Sequence, residues 1–149
     1  MESGKQIMIK NFNNYQESVA FEKQCQKIVT DHFRVPFERQ VRIKIGDPPK
    51  AHKFDLVSHQ RGTIIECKNY QWRKNGDPPN GKITELKSVV LYFLFVEFQC
   101  EKIIMMAKST HPKRNETLAE YFVRLHGHLL HDTEVWEVDK ETNTIKELR

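Results

Sequence analysis

Apolar and polar positions along this 149-residue chain change period several times, and each change marks an element. From Asn14 to Phe33, the residues Tyr15, Val19, Phe21, Cys25, Ile28, Val29 and Phe33 fall on one broad arc of a helical wheel. The pattern predicts a helix capped by Asn13 or Asn14 and stopped before Pro36. From Phe37 to Ile45 the period becomes two, with Phe37, Val41, Ile43 and Ile45 on one side and Glu38, Gln40, Arg42 and Lys44 on the other. That is a half-exposed strand with a basic outer face. After the loop GDPPKAHK, the stretches KFDLVS and TIIECK read as two strands joined by the turn signal HQRG. RKNGDPPNG is too rich in Gly and Pro to be regular, and Lys82 to Phe98 reads as a helix, apolar nearly all round in its second half. KIIMMA is wholly apolar, as a strand covered on both faces would be. Asn115 to Leu130 reads as a helix, and TEVWEVD with TIKEL as a terminal strand pair. The order α-β-β-β-α-β-α-β(β) predicts an α/β fold, a mixed central sheet flanked by helices, in a single domain over residues 1–149.

Composition narrows the setting. Apolar residues at 38% and charged residues at 30% fit a globular chain and argue against disorder. The longest apolar run, Val89 to Val96, is far short of a membrane span, and the N-terminus lacks the pattern of a secretory signal. Cys25, Cys67 and Cys100 are odd in number and far apart, which points away from a disulfide framework and toward a reducing, cytoplasmic location. The net charge of +4 is uneven: residues 132–149 hold six acids and three bases, leaving 21 bases against 14 acids on the remainder. A basic body suits a polyanionic partner.

The chemistry begins in GTIIECKNY, residues 62–70, where a strand-like apolar run ends in Glu66 and Lys68. Strand side chains alternate, so these two share a face and Cys67 points to the other. If Gln60 and Arg61 are the central turn residues, or if the loop runs from His59 to Gly62, Asp55 lies directly opposite Glu66. A three-residue loop with a glycine bulge at Gly62 would shift the pair apart. Like charges directly opposite are destabilising in a sheet, and a cation between them reverses the sign. Asp55, Glu66 and the neighbouring backbone carbonyl of Cys67 form an oxygen donor set suited to Mg²⁺. Lys68 can then orient or help deprotonate an attacking water, or stabilise charge developing on phosphorus. Glu22 lies inside the apolar arc of the first helix, where a carboxylate needs a partner, and can join the same acidic cluster.

This constellation resembles the PD-(D/E)xK phosphodiesterase superfamily, whose restriction-endonuclease-like core runs α-β-β-β-α-β, the order read here from Asn14 to about Ala107. Asp55 matches the acid on the second core strand, and Glu66 and Lys68 the E-x-K on the third. Phe21–Glu22 looks like the Phe-Glu pair in the first helix of the type IV restriction branch, which also tends to place an aromatic where Tyr70 stands. Phe54 replaces the proline of the motif. The resemblance implies Mg²⁺-dependent phosphodiester hydrolysis, with Mn²⁺ as substitute, most often by an endonuclease on DNA. It leaves RNA and DNA repair substrates open. A double-strand cut would need two active sites, which fits a homodimer. The alternative class is a nucleic-acid-binding subunit that keeps the fold without catalysing.

Candidate phosphate contacts are Arg39, Arg42 and Lys44 on the basic strand, and Arg73 and Lys74 after the E-x-K strand. Tyr70 and Trp72 could stack on a base; the alternative for Trp72 is a place under a helix. His126, His128 and His131 in HGHLLH read as capping or surface histidines before they read as a zinc site.

Overall fold

A computed structural model describes residues 3–149. Its elements are α1 (Gly4–Phe33), β1 (Phe37–Ile45), β2 (Lys50–Ser58), β3 (Thr63–Lys68), α2 (Asn80–Leu94), β4 (Glu101–Ala107), α3 (Leu118–His126), a 3₁₀ turn (Gly127–Leu129), β5 (Glu134–Asp139) and β6 (Thr144–Glu147). The six strands form one mixed sheet in sequential order. β1–β2, β2–β3 and β5–β6 are antiparallel, whereas β4 pairs parallel with both β3 and β5. The α/β class and the element order match the expectation from the sequence. No helix is long and apolar enough to cross a membrane among the described residues.

The core has two halves, one on each face of the sheet. Phe21, Cys25 and Val29 of α1 pack on Leu56, Ile65, Ile103, Met105, Trp136 and Val138. Leu86, Val89 and Phe93 of α2, with Phe122 of α3, pack on Phe54, Ile64, Ile104, Met106 and Val135. β4 alternates between the two clusters, and Ile103 to Met106 are fully buried, which accounts for the unbroken apolar run.

Several boundaries moved, three of them at helix ends with a clear local cause. α1 begins at Gly4 instead of Asn14, because Ser3 and Gln6 form a reciprocal capping box. Its added turns leave Met8 and Phe12 exposed, and Tyr15, which the sequence places on the apolar arc, is exposed as well. α2 ends at Leu94 instead of Phe98; the Phe95 amide donates back to the Tyr92 carbonyl and that of Val96 to Phe93, tightening the last turn to a stop. α3 starts at Leu118 instead of Asn115, because Thr117 and Glu120 make a second capping box. The Thr117 hydroxyl also donates to the buried Glu137 carboxylate on β5. Thr117→Ala should therefore lower stability by about 2 kcal/mol in urea unfolding, combining a lost cap with an unpartnered buried carboxylate. Thr117→Ser should keep most of it, and a loss below about 0.5 kcal/mol in the alanine variant would contradict this account.

β1 does not alternate as the sequence predicts. Phe37 packs with α1, yet Ile43, six positions on, packs with α2. The same break occurs in β2, where Phe54 and Leu56 lie two apart but belong to opposite clusters. Both strands change face at one rung. Gln40 there has a left-handed backbone, φ +56°, and Asp55 stands across from it. A regular strand cannot exchange its faces; a residue outside the β region can.

Candidate active site

The β2–β3 loop runs from His59 to Gly62. It is held by the Arg61 amide donating to the Ser58 carbonyl (2.8 Å) and the Thr63 amide to Ser58 Oγ (3.0 Å). The resulting pairs, Leu56 with Ile65 and Val57 with Ile64, set the register in which Asp55 and Glu66 come next. Beyond Leu56–Ile65 the strand ladder stops, and the Cys67 amide donates to Asp55 Oδ2 instead (2.8 Å). The aspartate thus replaces a main-chain acceptor at the fork between two strands.

There the two carboxyls meet. Burial, and next the Glu66 charge, push the Asp55 carboxyl up to about 7. Glu66 is also raised, chiefly by burial, against the pull of Asp55 and the Lys68 ammonium. Lys68 shares the Glu66 face. Among the described residues no acid lies within ion-pair distance of its ammonium, which sits 5.9 Å from the centre of the Tyr70 ring.

Glu22 arrives from α1, where it is buried. Arg39 Nε donates to its Oε1 (3.1 Å), and Gln40 Nε2 lies 3.0 Å from both of its oxygens. The same Gln40 amide reaches Asp55 Oδ1 (3.1 Å), so Glu22 is linked to the Asp55–Glu66 pair through it.

Asp55, Glu66 and Lys68 open onto a cleft of about 350 Å³, lined also by His52 and Lys53 from the sheet and by Glu85, Ser88 and Tyr92 from α2; Glu22 does not line it. Sequence reasoning missed the α2 wall and His52. His52 stacks on Tyr92 (centroids 4.1 Å apart) with Nε2 3.5 Å from Glu66 Oε1, and burial lowers its pKa. Strict alternation would have put His52 and Asp55 on opposite faces; the face change at Asp55 brings them together. The available signal was the unpaired charge of an acidic cluster beside a histidine three residues away.

The predicted nucleic-acid contacts divide. Arg42, Lys44, Arg73 and Lys74 are exposed. Arg39 is not free, since it holds Glu22. Tyr70 is half-buried and its hydroxyl donates to Glu85 Oε2 (2.5 Å), which, after burial, raises its pKa. Trp72 must be corrected: its indole is 8% exposed, packed edge-on against His111 and Tyr121, with no face open to a base. The Cys67 side chain packs toward α1 with its thiol raised by burial and by Cys25, so Cys67 joins the site only through its main chain. His126 ends α3, His128 lies in the 3₁₀ turn, and His131 pairs with Asp132.

Among the described residues no three His, Cys, Asp or Glu side chains converge on one point as a metal cage. The donor chemistry nevertheless fits a hard cation that keeps most of its waters. All donors are oxygens, and Mg²⁺ needs only one or two carboxylates. A carboxyl raised to about 7 beside a second carboxyl marks a place short of positive charge. No family model, curated protein or solved structure matches this chain.

Proposed function

We propose that the chain is a metal-dependent nuclease with a restriction-endonuclease-like core, α1-β1-β2-β3-α2-β4, extended by α3, β5 and β6. The observation that carries this reading is the meeting of Asp55, Glu66 and Lys68 in one cleft, with Glu22 joined to Asp55 through Gln40. Asp55, Glu66 and the Cys67 carbonyl would hold Mg²⁺, or Mn²⁺ in its place, with Glu22 at the edge of the cluster. Bound there, the cation supplies Lewis acidity at the scissile phosphate and lowers the pKa of a coordinated water. Among the described residues the Lys68 ammonium has no carboxylate partner, which leaves it to orient the attacking water and meet charge developing on phosphorus. Stacked against Tyr92, His52 limits how far Glu66 can swing.

The substrate inferred is DNA. Lys53 is an exposed cation on the cleft wall, and Arg42 and Lys44 on the edge strand and Arg73 and Lys74 beyond β3 are exposed cations on segments next to the strands that carry the acids. Exposed cations of this kind neutralise and hold a phosphodiester backbone. Purified protein incubated with supercoiled plasmid and Mg²⁺ or Mn²⁺ should nick or linearise it, and EDTA should stop the reaction. Parallel incubations with single-stranded, branched and RNA substrates assign the preference. Retained binding to duplex DNA without cleavage under any divalent ion would instead identify a non-catalytic DNA-binding subunit.

A further inference from the structure

Gln40 carries a conformation that the hairpin does not require. Its φ of +56° lies in the left-handed region, which costs a non-glycine residue about 1 kcal/mol or more. No residue is inserted there. The β1–β2 register is the same on both sides, Arg39 with Leu56 and Val41 with Phe54, and only the Gln40–Asp55 rung drops out. What the conformation achieves is the aim of the side chain. Nε2 sits 3.0 Å from both Glu22 oxygens and 3.1 Å from Asp55 Oδ1. An amide nitrogen has two hydrogens to share among these three acceptors. A neutral donor at the junction of two acids from different elements occupies the position where positive charge is most wanted.

We infer that the Gln40 amide is a resident stand-in for the cation: it holds Glu22 and Asp55 together in the metal-free protein and competes with the metal for their oxygens. This inference rests on the metal-dependent reading above. Hydrogen bonds to carboxylates are among the strong ones, and a metal must break them to take the same oxygens. Without the amide, the metal-free state loses its bridge while the metal-bound state loses little. Arg39 continues to hold Glu22, so the acid stays in place.

Two variants of the full chain test this. Gln40→Gly removes the amide and suits the left-handed backbone, so folding is favoured. Gln40→Asn also tolerates that backbone but is one methylene too short to span both acids. Calorimetric titration with Mn²⁺ should show both variants binding roughly tenfold more tightly than wild type, the factor expected for one lost charge-assisted contact. In EDTA, Gln40→Asn should melt below wild type, and saturating Mn²⁺ should close the gap. Equal or weaker Mn²⁺ binding by both variants, with wild type binding normally, overturns the stand-in role alone. Absence of Mn²⁺ binding by wild type, matched by Asp55→Asn, overturns the metal-dependent reading together with this inference.

Discussion

Asp55→Asn is expected to make the metal-free protein more stable at neutral pH and to abolish metal-dependent cleavage. The stabilisation follows from the raised carboxyl. The Asp55 pKa rises from 3.8 in the unfolded reference to about 7 in the fold, so between those values the folded state holds a proton that the unfolded state has released. Stability from this group is therefore complete below about pH 4 and falls as pH rises toward 7. Above that, the half-buried Asp55 carboxyl must ionise beside Glu66 against its own desolvation. Asparagine removes the charge penalty and keeps an acceptor for the Cys67 amide, while its NH2, placed where Oδ1 stood, gives up the contact from the Gln40 amide. An increase in Tm of roughly 3–8 °C in EDTA at pH 7.5 is expected, with a flatter dependence of Tm on pH between 4 and 7. A lower Tm for the variant at pH 7.5 would show that Asp55 is satisfied as an anion and that the site is not short of positive charge. Cleavage should disappear because asparagine brings the cation no charge.

Lys68→Ala should lower the single-turnover cleavage rate by about 10²- to 10⁴-fold, the range for a positioned group acting on a proton or on developing charge. The fold should hardly notice. Lys68 is half-buried and makes a cation–π contact with Tyr70, worth about 0.5–1 kcal/mol at a partly exposed site. The Tm should therefore change by no more than about 3 °C. Undiminished cleavage in this variant would remove Lys68 from the mechanism. A large drop in Tm would recast it as a residue that holds the cleft open against Tyr70.

The two acids were readable together because the hairpin between them is short: a two-residue and a four-residue loop give the same register, and the structure adopts the His59–Gly62 loop and not the glycine bulge that would have shifted the pair apart. β4 was readable because burial on both faces leaves nothing but apolar residues. Glu22 stood out as a charge on an apolar stripe. What could not be read has a common cause. Gln40 is not glycine, and nothing in its neighbours announces a left-handed backbone in the middle of a strand. Once that residue turns, period-two counting fails on both sides of it. It misassigned Phe37 and Ile43 to one face and hid His52 from the cleft. Trp72 followed a different logic. A tryptophan among basic loop residues looks exposed in sequence, but its packing partners, His111 and Tyr121, lie far along the chain.

α1 is one continuous helix to the eye and two objects in energy. From Phe21 onward it is docked on the sheet, and its hydrogen bonds open only when the α1 layer comes away. From Gly4 to Ser18 every residue is exposed, and a segment of that length is a marginal helix in water without tertiary contacts. Its helicity is thus set by a local helix–coil equilibrium, anchored at one end by the docked half and at the other by the Ser3–Gln6 cap. Warming should unwind it gradually, turn by turn, while the sheet and its two cores still melt as a unit.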